Sequence, residues 1–75
     1  MMIRSLFVKD VLPYLEGDVE EIRVWFVGKY EEYITEEPLD YYKDDEILGI
    51  RYEDGYLDFI IDGSRYIDVY TGSPI

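Results

Sequence analysis

The side chains in this chain that could do chemistry are carboxylates and aromatic rings. Acids recur as Glu31-Glu32, Glu36-Glu37, Asp40, Asp44-Asp45-Glu46, Glu53-Asp54, Asp58, Asp62 and Asp68. Carboxylates at such spacing can hold a cation, share protons in acid–base catalysis, or stand in for rows of phosphate. Cation binding fails on pattern. Neither Asp44-Asp45-Glu46 nor Glu53-Asp54-Gly55 follows the D-x-[DN]-x-[DN]-G loop, and Gly55 precedes rather than follows a ligand array. Catalysis fails on setting, because carboxylate chemistry needs a cleft that excludes water and 75 residues rarely build one. The chain holds no Cys and no His, which removes zinc sites, disulfides and the Ser-His and Cys-His nucleophile pairs. Ser5, Ser64 and Ser73 therefore lack a partner base, and six scattered glycines form no phosphate-cradling loop. The expectation is a non-enzymatic protein with no cofactor and no metal.

Phosphate mimicry fits the acids better. Alternate residues of a strand lie about 6.6 Å apart, comparable to the intervals at which duplex phosphates recur. A row of carboxylates along strands and turns can then enter a basic groove built for nucleic acid. The same acids can also serve only to keep the protein in solution. Aromatic residues supply a second signal. Alternation places Trp25, Tyr33, Tyr56, Asp58, Ile60, Tyr66, Asp68 and Tyr70 on one sheet face, where Thr, Lys and Ser would be ordinary. Trp and Tyr are enriched at binding hot spots, although Tyr also suits strands for cross-strand packing alone.

Composition sets the frame for both signals. Eighteen acids against seven bases give a net charge of −11, which argues against direct contact with nucleic acid or anionic membrane. Residues 1–35 hold four bases and seven acids, and residues 36–75 hold three and eleven, so the negative field concentrates in the second half. At 48% hydrophobic, with nine Tyr, three Phe and one Trp, the chain is too apolar for a disordered acidic tail. Its length suits a single domain over residues 1–75. No apolar run reaches membrane-span length and no signal-peptide core is visible, so the expectation is a soluble protein of the cytoplasm.

The elements that position these residues follow from periodicity. Val8, Val11, Leu12 and Leu15 fall on one helical face, predicting a helix over residues 8–16, started by Asp10 or Ser5 and stopped by Gly17. The period then changes to two. Ile22, Val24 and Phe26 oppose Arg23, Trp25 and Val27. Gly28-Lys29 suggests a type II′ turn into Tyr30–Thr35, and Pro38 opens a connector over residues 38–45, with one helical turn available to it. Leu48, Ile50 and Tyr52 share a face of Glu46–Tyr52. Glu53-Asp54-Gly55 turns the chain into Tyr56–Asp62, with Leu57, Phe59 and Ile61 inward. Asp62-Gly63 signals a hairpin to a last strand, Arg65–Thr71, with Ile67 and Val69 inward and a fraying tail from Gly72. The fold expected is α+β, one short N-terminal helix on one face of a four- or five-stranded, mainly antiparallel sheet.

Val8-Lys9-Asp10-Val11-Leu12-Pro13-Tyr14-Leu15 and Val19-Glu20-Glu21-Ile22-Arg23-Val24-Trp25 resemble segments of small uncharacterised proteins of phages and prophages. Glu46-Ile47-Leu48-Gly49-Ile50 and Tyr56-Leu57-Asp58-Phe59-Ile60-Ile61 are similar to the closing hairpin of those proteins. Together these pieces cover about a third of the chain. The resemblance implies a mobile-element setting, and in size and charge the chain is similar to anti-CRISPR-type nucleic-acid mimics. The function expected is an acidic interaction protein that occupies a basic, nucleic-acid-binding surface of a host defence or DNA-processing protein. Its contacts would come from Trp25, Tyr33, Asp44, Asp45, Glu53, Asp54, Tyr56, Asp58, Tyr66, Asp68 and Tyr70. The alternative is an assembly module that self-associates, as a homodimer, through the aromatic face or an edge strand.

Overall fold

The period-two runs become strands, and they meet in an order that periodicity does not encode. In the computed structural model, which describes residues 5–15 and 21–75, four strands form one sheet. They are β1 (Ile22–Val27), β2 (Glu32–Ile34), β3 (Ile47–Glu53) and β4 (Tyr56–Asp62), ordered β2-β1-β4-β3. The outer pairings are antiparallel, whereas the central pair β1–β4 is parallel. A parallel pair needs a long crossover. Residues 28–55 supply it and carry β2 and β3 on the way. The fold is thus a small α+β unit with a mixed, mostly antiparallel sheet. No helix among the described residues is long and apolar enough to cross a membrane.

The N-terminal helix is shorter than its apolar spacing predicts. α1 spans Val8–Val11, and Leu12–Tyr14 continue as a 3-10 turn with Pro13 near its start. Leu15 is already extended, and the predicted end at Glu16-Gly17 lies outside the described residues. Asp10 starts the helix by accepting the Phe7 backbone N–H at 2.9 Å. The connector makes its helical turn as a 3-10 turn, Leu39–Tyr42, which buries Leu39 and Tyr42 over the sheet. Together α1 and this turn cover a core of Val8, Val24, Phe26, Leu39, Tyr42, Ile47, Phe59, Ile61 and Ile67. Cross-strand register explains the sheet's share of that core. Val24 pairs with Phe59 and Phe26 with Ile61, so all four side chains leave the same face.

Four expected features differ. Gly28-Lys29 is not a two-residue type II′ turn, because Gly28 lacks the positive φ that turn requires. Its N–H instead reaches the Glu31 carbonyl at 2.8 Å, and the strand beyond shrinks to Glu32–Ile34. Arg65–Thr71 forms no strand. The Ser64 N–H donates to Asp62 Oδ1 at 3.0 Å, and the Tyr66 and Ile67 N–H groups both return to the Gly63 carbonyl, curling the chain instead of extending it. Gly63 itself is pressed against the Phe26 ring, leaving no space for a Cβ. The tail does not fray. Ile67 bridges Pro74, and the Ile75 N–H donates to the Tyr66 carbonyl at 3.1 Å. Finally, Ile50 and Tyr52 share the core-side face with Phe59 and Leu57 by register but lie at its margin, 52% and 75% exposed. The turn at Asp54-Gly55 does form, with both residues at positive φ as a type I′ hairpin needs.

Candidate functional site

The sheet face opposite the core carries Trp25, as alternation predicts, but it is not bare. Register places Trp25 between Ile34 on β2 and Ile60 on β4. One step along, Arg23 on β1 and Arg51 on β3 both stand beside Asp58 on β4. Arg23 donates two hydrogen bonds to the Asp58 carboxylate, at 2.7 and 2.9 Å. Arg51 adds a longer one at 3.4 Å and reaches on to Glu32 at 2.9 Å. Both guanidiniums lie over the indole, 5.4 and 5.7 Å from its centre, and Arg23 lies 4.2 Å from the Tyr56 ring. The arrangement is a lid of charge-paired arginines whose guanidiniums lie over the aromatic rings.

The lid changes the standing of its acids. Asp58, expected to face solvent, is 0% exposed. Hydrogen bonding from Arg23 holds its carboxyl below the usual 3.8, against the upward push of burial. The same hydrogen bond raises Arg23, and the bond to Glu32 raises Arg51, so both guanidiniums stay charged. The Trp25 indole N–H is buried and meets no acceptor in hydrogen-bond geometry. A buried donor without an acceptor carries a cost. Trp25 is therefore half-covered rather than freely exposed.

Three other predicted contact residues belong to the core side. Tyr33 pairs with Phe26 and packs against the core, because residues directly opposite each other in an antiparallel pair share a face. Tyr66 stacks on Phe26 at 5.3 Å and donates its hydroxyl to Asp45 at 2.5 Å. Burial first, and that hydrogen bond second, push the Tyr66 phenol up to about 12. Asp45 is consequently only 5% exposed, with Arg65 at 3.6 Å from its other oxygen. It cannot serve as an exposed turn carboxylate. Asp68 and Tyr70 are exposed but lie in the C-terminal turns, not on the sheet face. Asp68 accepts the Tyr70 N–H at 2.9 Å, and Lys29 lies 4.7 Å over the Tyr70 ring.

What reaches solvent is a subset. Asp44, Glu53 and Asp54 are exposed as predicted, as are Glu36, Glu37, Asp40, Asp62 and Asp68. Three of the seven bases, Arg23, Arg51 and Arg65, are bound to Asp58, Glu32 and Asp45. The exterior left over is more one-sided in sign than composition alone conveys. Among the described residues no group of three or more acids converges closely enough to hold a metal ion. Sequence reasoning missed Arg23, Arg51 and Arg65 as the residues that decide which acids are free. Alternation did place Arg23 beside Trp25, and that was the one signal pointing to the lid. Comparison with protein-family models, with curated proteins and with solved structures finds no match for this chain.

Proposed function

We propose that this protein is a non-enzymatic acidic inhibitor or adaptor that occupies a basic, nucleic-acid-binding surface of another protein. The observation that carries the reading is the segregation of charge. Arg23, Arg51 and Arg65 are paired with Asp58, Glu32 and Asp45, while Glu36, Glu37, Asp40, Asp44, Glu53, Asp54, Asp62 and Asp68 remain exposed on turns and strand ends. A scaffold holding exposed carboxylates gives a field that steers a basic partner and competes with phosphate for it. Exposed rings beside these acids, Tyr41 near Asp40 and Asp44 and Tyr70 near Asp68, supply apolar contact at low rotamer cost. A phage setting and a host defence or DNA-processing target are the form of this reading that the sequence resemblance favours.

Capture from host lysate tests it. Tagged protein should retain basic nucleic-acid-binding proteins at low salt and release them at high salt or when duplex DNA is added. Retention of partners that ignore both treatments would contradict the proposal.

A further inference from the structure

The sheet has two edges, and they are not alike. β2 is three residues long and begins with Glu32, which is engaged with Arg51 across the outer face. It offers little backbone to a visitor. β3 is seven residues long. Its first residues are occupied, because the Ile47 N–H donates to the Leu6 carbonyl and Phe7 bridges Glu46. A bulge between Ile47 and Gly49 ends that pairing. From Leu48 to Glu53 no backbone hydrogen bond is made to a further strand among the described residues.

Natural edges are guarded by Lys, Pro, inward charges or brevity. Beyond the bulge, Gly49–Glu53 has none of those guards. Its one base, Arg51, is turned over the outer face onto Asp58 and Glu32. Along the edge stand Leu48 and Ile50, each 52% exposed, and Tyr52, 75% exposed. Acids bracket the strip, with Glu46 at one end and Glu53-Asp54 at the other. A second copy of the chain would bring its own brackets and its own net charge of −11 against these. An extended segment with Lys or Arg at its ends would meet opposite charge at both.

We infer that the open edge of β3 takes up an extended segment of the basic partner as an added strand. Main-chain hydrogen bonds to Leu48–Glu53 would hold it, with β-branched or aromatic residues on Ile50 and Tyr52 and bases on Glu46, Glu53 and Asp54. The inference rests on the proposed function and specifies how its partner is held.

The test is an amide-resolved NMR titration of the full chain with the blocked peptide Lys-Lys-Val-Thr-Val-Thr-Val-Lys-Lys. Two controls accompany it, the same peptide N-methylated at alternate residues and heptalysine. Shifts should centre on Leu48–Glu53, and N-methylation should weaken binding about tenfold or more by removing backbone donors. Ile50→Lys, a change at a half-exposed position, should weaken it severalfold without altering the rest of the spectrum. Equal binding of all three peptides, with shifts centred on Glu36–Asp44, would overturn the edge inference and leave the charge-based function standing. Failure of every peptide to bind at low salt would overturn both. Concentration-dependent shifts at Leu48–Glu53 without peptide would make a second copy the occupant and overturn the inference.

Discussion

Replacing Asp58 with Asn should cost this domain much of its stability, and the size of the loss can be worked from the lid. Asp58 is fully buried and accepts two short bonds from Arg23 and a longer one from Arg51. Asparagine keeps the volume and one acceptor, but it turns an amide donor toward a guanidinium. Hydrogen bonds to charged groups contribute about 1.5–3 kcal/mol each. The Arg23 side chain retains 29% of its exposure, so water recovers part of the loss. A net cost of about 2–3 kcal/mol follows, near the lower end for a broken buried pair. For a domain of this size that lowers the melting temperature by roughly 10–20 °C. The pH dependence has a definite sign. Because the folded carboxyl lies below 3.8, its contribution is present above about pH 4 and is lost as pH falls through the lowered native value. Circular-dichroism melts of both proteins should therefore differ most near neutrality and converge on acidification. Emission from Trp25 should shift to the red in the variant as the lid loosens. A melting temperature within about 5 °C of the parent at neutral pH, or a gap that persists unchanged to about pH 2, would refute the role given to the lid.

Phe59→Ala should remove about 3–5 kcal/mol, enough to unfold a domain with a core this thin, whereas Leu57→Ala, only half-buried, should cost clearly less; denaturant titration of both separates them. Ultraviolet titration of the tyrosines should show the Tyr66 phenol ionising near 12, and Tyr66→Phe should reduce the late part of the curve. Because its folded pKa exceeds the ordinary 10.0, Tyr66 should make stability decline as pH rises from about 10 toward 12, a slope that the Phe variant should show less steeply, since Tyr33 and Tyr42 are raised as well.

The parts of this fold legible in the sequence are those governed by alternation within a single strand. Val24 and Phe26 against Trp25, and Phe59 and Ile61 against Asp58 and Ile60, sort to the faces that period two assigns. What alternation cannot carry is the choice of neighbour. The parallel β1–β4 pairing rests on matching two inner rows, Ile22-Val24-Phe26 with Leu57-Phe59-Ile61, that lie far apart in the chain. Arg65–Thr71 reads as a strand because Tyr66, Ile67 and Val69 favour one, yet stacking of Tyr66 on Phe26 and its bond to Asp45 hold the segment as turns. The candidate site was misread for the same reason. Asp58 meets Arg23 across 35 residues and Asp45 meets Tyr66 across 21, so local spacing could not reveal that either acid was buried. The exposed acids of turns and ends, Asp44, Glu53 and Asp54, were legible because turn residues stay in water whatever the pairing.

The central claim is that unpaired surface carboxylates, rather than the aromatic face, set the encounter with a basic partner. Association rates with a partner captured from lysate, measured across ionic strength, test it most directly. The rate should fall steeply as the Debye length shrinks from about 10 Å at 0.1 M toward about 3 Å at 1 M salt. A variant carrying Glu36→Gln, Glu37→Gln, Asp40→Asn and Asp44→Asn should start slower and show a shallower dependence while melting as the parent does. Rates that are flat in salt and unchanged in that variant, with Trp25→Ala alone accelerating dissociation, would contradict the account.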